Sequence, residues 1–369
     1  MNNIVLSANT SWYLYNFRFS TILALQQQGY NVFCISPRDD HSLRLVNELG
    51  CKWFDIKMDN QGSNPIKDMF FFWTLLKLYK KIKPVVSFHF TIKNNIYGTW
   101  AAKLAGVKAV NNVSGLGTAF INDNLTSKVV RILYKVSQPF AHKVFCQNPE
   151  DYSLLIDQKL VLESKLTLLP GSGVNIKRFH PTLKNVKADN TPFVFLYVGR
   201  MLTDKGVLEL IEAATLLFSK RQDFVLQLCG FADVKNSTAI TETMLNEWSQ
   251  QPFIEWLGAT ENIASVYAGS DCVVLPSYRE GMPRSLLEAG AMGLPSIATD
   301  VPGCKHIISN GYNGLLCTVR DSASLSNALM NMLDLDDAGY NLMCENARNN
   351  VVNKYDESIV VEHALNAVC

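Results

Sequence analysis

The feature that most constrains the fold is an alternation, present in both halves of the chain, between short apolar runs and longer amphipathic stretches. The runs are rich in β-branched and aromatic residues, as buried parallel strands are. They are Ile4–Ser7, Val32–Ser36, Val85–Phe88, Ala109–Val110, Val144–Cys146, Leu166–Leu169, Phe193–Val198, Phe224–Cys229, Ile254–Leu257, Cys272–Leu275 and Ser296–Ala298. Helical patterns such as Thr126–Gln138, Gly206–Ser219 and Thr238–Gln251 lie between them. This alternation predicts an α/β protein with two doubly wound parallel sheets.

The length of the chain and a break in its patterning predict two domains. Its 369 residues exceed the ~250–300 that one hydrophobic core organises. Glycines, prolines and polar residues interrupt both periods between residues 170 and 190. We therefore expect an N-terminal domain at 1–180 and a C-terminal domain at 190–355, with a last helix at 356–369 that crosses back onto the first.

The charges are distributed unevenly although the net charge is only +1. Residues 1–180 carry 21 Lys and Arg against 11 Asp and Glu, and the remainder carries 13 against 22. A basic half is typical of a domain that faces an anionic partner, but related domains also differ in charge without consequence.

The cysteines and the short apolar runs predict a cytoplasmic protein. Nine widely spaced cysteines without a Cys-x-x-Cys pair are typical of reduced thiols rather than of a zinc site. The longest apolar stretch, Met69–Leu76, is far shorter than the ~20 residues of a spanning helix. Residues 1–7 lack the pattern of a signal peptide.

The segment richest in chemistry follows the Cys272–Leu275 run. It carries Glu280 and Gly281 in a loop and Pro283 at the expected first position of a helix, which Gly293 ends. The amides at the start of such a helix face the ligand crevice at the carboxyl ends of the strands, where an anionic diphosphate can bind.

Two glutamates flank this helix start. Glu280 lies at the mouth of the crevice and Glu288 about one and a half turns into the helix, so each carboxylate can accept bonds from sugar hydroxyls. Isolated glutamates at this spacing are usually surface residues, but the strand-to-helix context favours a nucleotide sugar.

A second strand-to-helix turn, Val198–Gly206, contains two cations. Gly199 allows close backbone approach, and Arg200 and Lys205 can both reach a diphosphate. A solvated turn is the alternative, which the neighbouring acidic segment makes the weaker interpretation.

Three further loops are candidates for donor contacts. Gly115 and Gly117 resemble a phosphate-binding glycine loop, although Gly-x-Gly can also form an ordinary tight turn. We expect loops near Gly230-Phe231 and Gly258-Ala259-Thr260 to select the base.

Several motifs of the second half together resemble one enzyme family. They are Gly199-Arg200, Lys205-Gly206, Leu257-Gly258, Val274-Leu275-Pro276-Ser277, Glu280-Gly281, Glu288-Ala289, Gly293-x-Pro295 and Gly311-x-Asn313-Gly314. This pattern resembles that of retaining glycosyltransferases of family 4, which have the GT-B fold. The resemblance implies two Rossmann-like domains, with an acceptor-binding domain at 1–180, a nucleotide-sugar-binding domain at 190–355 and the donor in the cleft between them.

The resemblance also implies residue roles and a reaction that needs neither a cofactor nor a metal. Glu280, Lys205 and Arg200 are then the catalytic candidates, with both cations on the donor diphosphate. Glu288 then contacts the ribose, and Glu280 the transferred sugar. The donor-binding candidates are Gly117, Gly199, Thr260, Gly281, Met282, Pro283, Leu287 and Glu288.

The first half resembles a bacterial subgroup that builds surface polysaccharides such as O-antigen, lipopolysaccharide and capsule. The motifs are Asn9–Leu14, Asn16–Arg18, Thr91–Gly98 and Ser114–Gly117. The resemblance implies a UDP-linked hexose or N-acetylhexosamine as donor and a polyprenyl-diphosphate-linked or other saccharide as acceptor. Many family members have a Gly-Gly pair in the first loop and a His after the fifth strand, and this chain has neither.

Four residues of the first half are candidates for the acceptor side: Arg18, His89, Lys93 and Asn95. His89 follows a strand, where a lone histidine is more often a satisfied structural residue. Lys93 and Asn95 allow the same alternative, and Arg18 either meets the acceptor or caps the domain.

Residues 65–83 read as a helix with an apolar body and a basic end. Such a helix can lie on an anionic membrane at the cytoplasmic face of the inner membrane. The alternative is a core-packed helix with a solvated end.

Other functions remain open at this point. A nucleotide-sugar 2-epimerase shares this fold, and a silent sugar-nucleotide-binding protein is a further alternative. Asp334-Leu335-Asp336 imitates an Asp-x-Asp metal motif, but we interpret it as a helix-capping turn. No motif supports nucleic-acid binding.

Overall fold

The computed structural model describes residues 2–59, 64–114, 125–184, 191–232, 236 and 238–368. It divides into two compact units, one of Met1–Ser172 with Glu357–Cys369 and the other of Gly173–Asp356. The chain thus leaves the first unit after Ser172 and returns to it with its last helix.

The first unit is a parallel α/β layer structure. Its elements are β1 (Asn3–Ser7), α1 (Ser11–Gln27), β2 (Asn31–Ser36), α2 (Ser42–Asn47), β3 (Lys52–Asp55), α3 (Pro65–Ile82), β4 (Val86–Phe90), α4 (Thr99–Ala105), β5 (Lys108–Val113), α5 (Leu125–Ser137), β6 (Lys143–Cys146), α6 (Pro149–Asp157) and β7 (Leu166–Leu168). Within the described residues the seven strands pair in the order β3-β2-β1-β4-β5-β6-β7. A single turn of π-helix, Asn94–Gly98, precedes α4.

The second unit repeats this architecture. Its elements are β8 (Phe193–Val198), α7 (Val207–Phe218), β9 (Phe224–Cys229), α8 (Glu242–Trp248), β10 (Ile254–Gly258), α9 (Ile263–Ala268), β11 (Cys272–Leu275), α10 (Arg284–Ala291), β12 (Ser296–Thr299), α11 (Cys304–Ile307), β13 (Gly314–Cys317), α12 (Ser322–Leu333) and α13 (Asp337–Tyr355). The order of its six strands, among the described residues, is β10-β9-β8-β11-β12-β13. The last helix, α14 (Glu357–Asn366), belongs to the first unit.

The strand orders fix where a ligand can bind in each unit. In the first sheet β1 lies beside β4, and in the second β8 lies beside β11. On one side of each pair successive strands are added towards one edge of the sheet, and on the other side they are added towards the opposite edge. The crevice outside the carboxyl ends of the strands at such a reversal is the general ligand site of open α/β sheets.

The prediction of two parallel sheets is confirmed, with local corrections. The edge strands β3 and β13 were not predicted. The expected helix at 238–251 is shorter, because Thr241 caps it by accepting a hydrogen bond from Met244 N at 3.2 Å and Ile240 N donates instead to Met201 O.

Candidate active site

The central feature of the second unit is a pair of loops at the carboxyl ends of β8 and β11. The first contains Gly199, Arg200 and Lys205, and the second contains Glu280 and Gly281. Because β8 and β11 are neighbours, both loops meet at the reversal point of the sheet.

A lysine and a glutamate from these loops form an ion pair. Lys205 Nζ lies 2.5 Å from Glu280 Oε1, and both side chains are largely buried. Arg200 is exposed beside them, and its carbonyl accepts a hydrogen bond from the Tyr197 hydroxyl at 2.8 Å. The structure therefore brings the three catalytic candidates to one loop cluster.

Three glycines allow these two loops and the loops after β9 and β12 to approach one another closely. Gly206 has φ +73°, and a Cβ there would lie 2.0 Å from Pro276 O. A Cβ at Gly230 would lie 1.7 Å from Gly199 O. Gly303, with φ +87°, would place one 2.6 Å from Glu280 O. Sequence reasoning did not single out Gly303, which lies in an otherwise ordinary loop after β12.

Helix α10 starts one residue later than predicted. Pro283 is its N-cap, with φ −71° and ψ 117°, and not its first helical residue. A proline side chain cannot cap amides, and the first-turn N–H groups of α10 remain available for an anion. Gly293 ends the helix region as predicted, at φ +65°.

Glu288 lies on the buried side of α10. Its Oε1 lies 2.8 Å from Arg284 Nε, and its Oε2 accepts a hydrogen bond from the Tyr267 hydroxyl at 3.0 Å. Burial and the neighbouring carboxylate raise the pKa of Tyr267 well above its usual range, so that this phenol stays a donor. Neither Tyr267 nor Arg284 was predicted to have a role, since each acts only through its contact with Glu288.

The remaining donor candidates are placed differently. Thr260 is exposed after β10, where its Oγ1 accepts a hydrogen bond from Asn262 N. Met282 packs against the core of the unit, and Leu287 is buried in it, so only backbone atoms of Leu287 could meet a ligand. Gly117 lies outside the described residues.

The first unit has a cavity of about 240 Å³ at the carboxyl ends of β1, β4 and β5. It is lined by Asn9, Met58, Thr91, Ile92, Lys93, Asn95, Val113, Ser114 and Tyr134. Two of the acceptor candidates, Lys93 and Asn95, therefore line one cavity. Lys93 Nζ is paired with Asp68 Oδ1 at 2.6 Å.

Arg18 is connected to this cavity without lining it. Its side chain is 2% exposed and stacks over the Phe90 ring at 4.5 Å. Its Nη2 donates to the Tyr13 hydroxyl at 3.1 Å, which bonds Ser114 Oγ at 2.9 Å. Arg18 thus supports, through Tyr13, the wall of the cavity that contains Ser114.

His89 is part of the interior. It lies within β4 and is fully buried between the Tyr79 hydroxyl, 3.0 Å from Nε2, and Asn111 Oδ1, 2.7 Å from Nδ1. Burial lowers its pKa to about 4, so the ring is neutral at physiological pH. This placement favours the structural alternative over a ligand contact.

The structure also bears on metals and membrane spans. Among the described residues no group of three His, Cys, Asp or Glu side chains could hold a metal ion. The interpretation of Asp334–Asp336 as a capping turn is confirmed, because Asp336 Oδ1 accepts a hydrogen bond from Gly339 N at the start of α13.

No helix in the described ranges is both long and apolar enough to cross a bilayer.

Comparison with protein families finds two matches that together span most of the chain. Residues 181–350 match the family described as Glycosyl transferases group 1, and residues 3–148 match Glycosyl transferase 4-like.

Two bacterial enzymes are similar over most of their length. The N,N'-diacetylbacillosaminyl-diphospho-undecaprenol alpha-1,3-N-acetylgalactosaminyltransferase of Campylobacter jejuni is 32% identical, over 95% of this chain and 94% of that enzyme. The UDP-Gal:alpha-D-GlcNAc-diphosphoundecaprenol alpha-1,3-galactosyltransferase of Escherichia coli is 31% identical, over 79% and 76%.

Solved structures share the fold at low identity. Anabaena HepE in complex with UDP-glucose superimposes with a TM-score of 0.81 at 16% identity, covering 100% of this chain and 99% of that one. A glycosyltransferase from Rickettsia africae gives 0.80 at 18% identity, covering 100% and 97%. The predicted fold class is thereby confirmed.

Proposed function

This chain belongs to the family Glycosyl transferases group 1 and is a glycosyltransferase, and from that premise we propose that it moves a hexose or N-acetylhexosamine, with retention, from a UDP-sugar to a saccharide carried on polyprenyl diphosphate. The observation that carries the donor half of the proposal is the Lys205–Glu280 pair at the reversal point of the second sheet. The family assignment favours transfer over epimerisation, because the similar enzymes are transferases.

The donor is proposed to lie along the carboxyl edge of the second sheet. Strands β10, β9, β8 and β11 are consecutive neighbours. With strands ~4.8 Å apart, the loop holding Thr260 is roughly 15 Å from the one holding Glu280, about the span of a sugar nucleotide. The base then lies near Thr260 and the exposed ring of Phe231, the ribose near Glu288, and the sugar near Glu280.

The leaving group is proposed to be stabilised by fixed positive charge. Lys205, Arg200 and the first amides of α10 face the diphosphate. Donor binding separates Lys205 from Glu280, so that the ammonium turns to a phosphate oxygen and the carboxylate accepts a bond from a sugar hydroxyl.

The chemical step follows from this placement. The bond between the anomeric carbon and the phosphate oxygen breaks, and its electron pair stays on the diphosphate. The acceptor hydroxyl attacks on the same face, and its proton moves to the departing phosphate oxygen. Glu280 positions the sugar and forms no bond to it.

The acceptor is proposed to use the cavity of the first unit. It lies at the reversal point of that sheet, and Lys93 and Asn95 supply polar groups to it. The two similar bacterial enzymes are named for acceptors on diphosphoundecaprenol, which supports a lipid-linked saccharide here. Synthesis of a surface polysaccharide such as capsule or O-antigen is the process this chemistry fits.

Peripheral contact with an anionic membrane at the cytoplasmic face is proposed through α3. One face of α3 exposes an apolar stripe of Ile66, Met69, Phe70 and Trp73, and Ile66 and Phe70 are 67% and 71% exposed. Exposed lysines, Lys77 and Lys80, continue the same face towards the end of the helix. An apolar stripe with a basic end fits a surface of anionic lipid.

A thermal-shift screen tests the donor assignment. We expect UDP-sugars, but not GDP- or ADP-sugars, to raise the melting temperature, since a ligand at 100 times its Kd adds about 2.7 kcal/mol to stability. The Lys205→Ala variant should lose most of the shift, whereas Lys220→Ala, which removes an exposed lysine two residues after α7, should keep it. The proposal would be contradicted if no nucleotide sugar raised the melting temperature, or if a UDP-sugar raised that of Lys205→Ala as much as that of the wild type.

A further inference from the structure

The loop that carries Glu280 is attached to its neighbours by Tyr278, which lies two residues earlier in the chain. The Tyr278 hydroxyl donates a hydrogen bond to Glu209 Oε1 at 2.5 Å, and the Tyr278 backbone N–H donates to Asp204 O at 3.0 Å. Asp204 precedes Lys205, and Glu209 lies in the first turn of α7. One residue therefore joins the Glu280 loop both to the Lys205 loop and to the helix that follows the Lys205 loop.

The ring of Tyr278 is held at its face as well as at its hydroxyl. The guanidinium carbon of Arg320, in the loop after β13, lies 4.4 Å from the centre of this ring, where a cation is attracted by the π-electrons. Burial and the hydrogen bond to Glu209 raise the pKa of Tyr278 to about 12. The phenol is therefore protonated at physiological pH and remains a hydrogen-bond donor.

The Lys205 loop has a second attachment that does not depend on Tyr278. Thr238, which follows β9, donates from Oγ1 to Asp204 Oδ1 at 2.8 Å. The carbonyl of Thr238 also accepts a hydrogen bond from a backbone N–H of the Lys205 loop at 2.8 Å. Removal of the Tyr278 hydroxyl should therefore disturb the Glu280 loop more than the Lys205 loop.

The attachment through Tyr278 matters most when the donor is bound. Donor binding, as proposed above, separates Lys205 from Glu280, so the two loops lose the ion pair that joins them in the free protein. The hydrogen bonds of Tyr278 involve neither charged group of that pair, and they remain when it opens. A displacement of about 1 Å in a site of this kind can cost about 10²-fold in rate, so the remaining attachment has a large effect.

We infer that Tyr278 is a positioning residue for Glu280, which it holds in place against the transferred sugar once the ion pair with Lys205 has opened. This inference rests on the proposed function, because it takes Glu280 to contact the sugar and Lys205 to contact the diphosphate. The Tyr278 hydroxyl then contributes to binding of the sugar part of the donor and little to binding of the nucleotide part.

The test separates the sugar from the nucleotide by titrating two ligands. Calorimetry gives the Kd of UDP and of a UDP-sugar for the wild-type chain and for Tyr278→Phe, well below both melting temperatures. The UDP-sugar is whichever of UDP-glucose, UDP-galactose and their N-acetylated forms raises the wild-type melting temperature most. In Tyr278→Phe we expect the Kd of the UDP-sugar, divided by the Kd of UDP, to rise about five- to tenfold, which is part of what a hydrogen bond to a charged group contributes. The Kd of UDP itself should change by about threefold or less, because the Lys205 loop keeps its attachment to Thr238.

Tyr340→Phe is the matched control. Tyr340 is also partly buried in the second unit, and its hydroxyl donates to Asp271 O at 2.9 Å. Asp271 precedes β11, so this bond lies at the amino end of the strand whose carboxyl end leads to the Glu280 loop. Tyr340→Phe should lower the melting temperature but keep the wild-type ratio of the two Kd values, whereas a general loosening of the unit would raise the ratio in both variants.

Glu209→Ala removes the same hydrogen bond from its other side. Glu209 Oε2 is buried and has no hydrogen-bond partner among the residues that the structure describes, so Tyr278→Phe leaves a poorly satisfied carboxylate that costs stability. Glu209→Ala removes this carboxylate and should raise the ratio as Tyr278→Phe does, which keeps the inference testable if Tyr278→Phe does not fold. The double variant should raise it no further than either single variant, because both substitutions remove one bond.

The outcomes separate this inference from the proposed function. An unchanged ratio in folded Tyr278→Phe or Glu209→Ala, an equal rise in Tyr340→Phe, or additive effects in the double variant would overturn the positioning role and leave the donor assignment intact. If the wild type bound none of the UDP-sugars, both the proposed donor site and this inference would be overturned.

Discussion

At the residue scale, the charged groups of the site are readable from the sequence, whereas the residues that bring them together are not. Lys205 and Glu280 lie 75 positions apart, and the motif around each one predicted its place at a strand end. Gly303 was not predicted because the reason for a glycine at this position is steric. It leaves room for the carbonyls of Glu280 and Gly281, a contact that no local pattern encodes.

Replacing Gly303 by alanine should damage the donor site more than the fold. Gly303 (φ +87°, ψ −50°) and Gly311 (φ +75°) both have positive φ, so alanine is strained at either position and costs on the order of 1–3 kcal/mol of stability. At Gly303 the new Cβ also collides with Glu280 O, whereas at Gly311 it meets nothing within 4 Å. We expect Gly303→Ala to weaken nucleotide-sugar binding at least tenfold and Gly311→Ala to leave it unchanged.

Isothermal titration of both variants, with melting temperatures recorded alongside, checks this comparison. Equal donor affinity in the two variants would show that the contact between residue 303 and the Glu280 loop has no role in binding.

At the element scale, the central strands were predictable and the edges were not. Central strands such as β8 and β11 are continuous apolar runs because both of their faces are buried. The edge strand β3 mixes Lys52 and Asp55 with two aromatics, and β13 begins with a glycine, so neither has that pattern. The π-helical turn was equally unpredictable, since it differs from an α-helix by one hydrogen-bond step.

Helix α3 provides the element-scale prediction. The Phe70→Ser/Trp73→Ser double variant should bind anionic liposomes more than tenfold more weakly than the wild type, because each exposed aromatic side chain that enters the lipid contributes roughly 1.5–3 kcal/mol. Co-flotation with phosphatidylglycerol vesicles measures the binding. Added salt should release the wild type, since Lys77 and Lys80 bind through charge.

Leu342→Ser is the control for this experiment, since it removes an equally exposed apolar side chain from α13 in the other unit. Undiminished flotation of the α3 variant, or the same loss in Leu342→Ser, would exclude α3 as the docking surface.

At the scale of the whole molecule, patterning predicted two parallel sheets, and motifs predicted the family. The sequence motifs are densest in the second half because donor binding depends on short loops at strand ends, where a few residue types at fixed spacing suffice. The candidate site of the first half is harder to predict from the sequence. Its cavity is lined by residues that follow β1, β3 and β4, by the end of β5 and by Tyr134 of α5, so no single stretch of the sequence defines it.

The central claim is that Lys205 and Glu280 serve transfer from a nucleotide sugar to a lipid-linked saccharide. The most direct measurement is the rate of transfer from a UDP-sugar to a sugar diphosphate on a short polyprenyl chain by wild type, Lys205→Ala, Glu280→Gln and the control Lys220→Ala. We expect both site variants to lose about 10²- to 10³-fold in kcat while keeping their melting temperatures within a few degrees, and the control to match the wild type. Wild-type turnover in folded Lys205→Ala and Glu280→Gln would contradict the account.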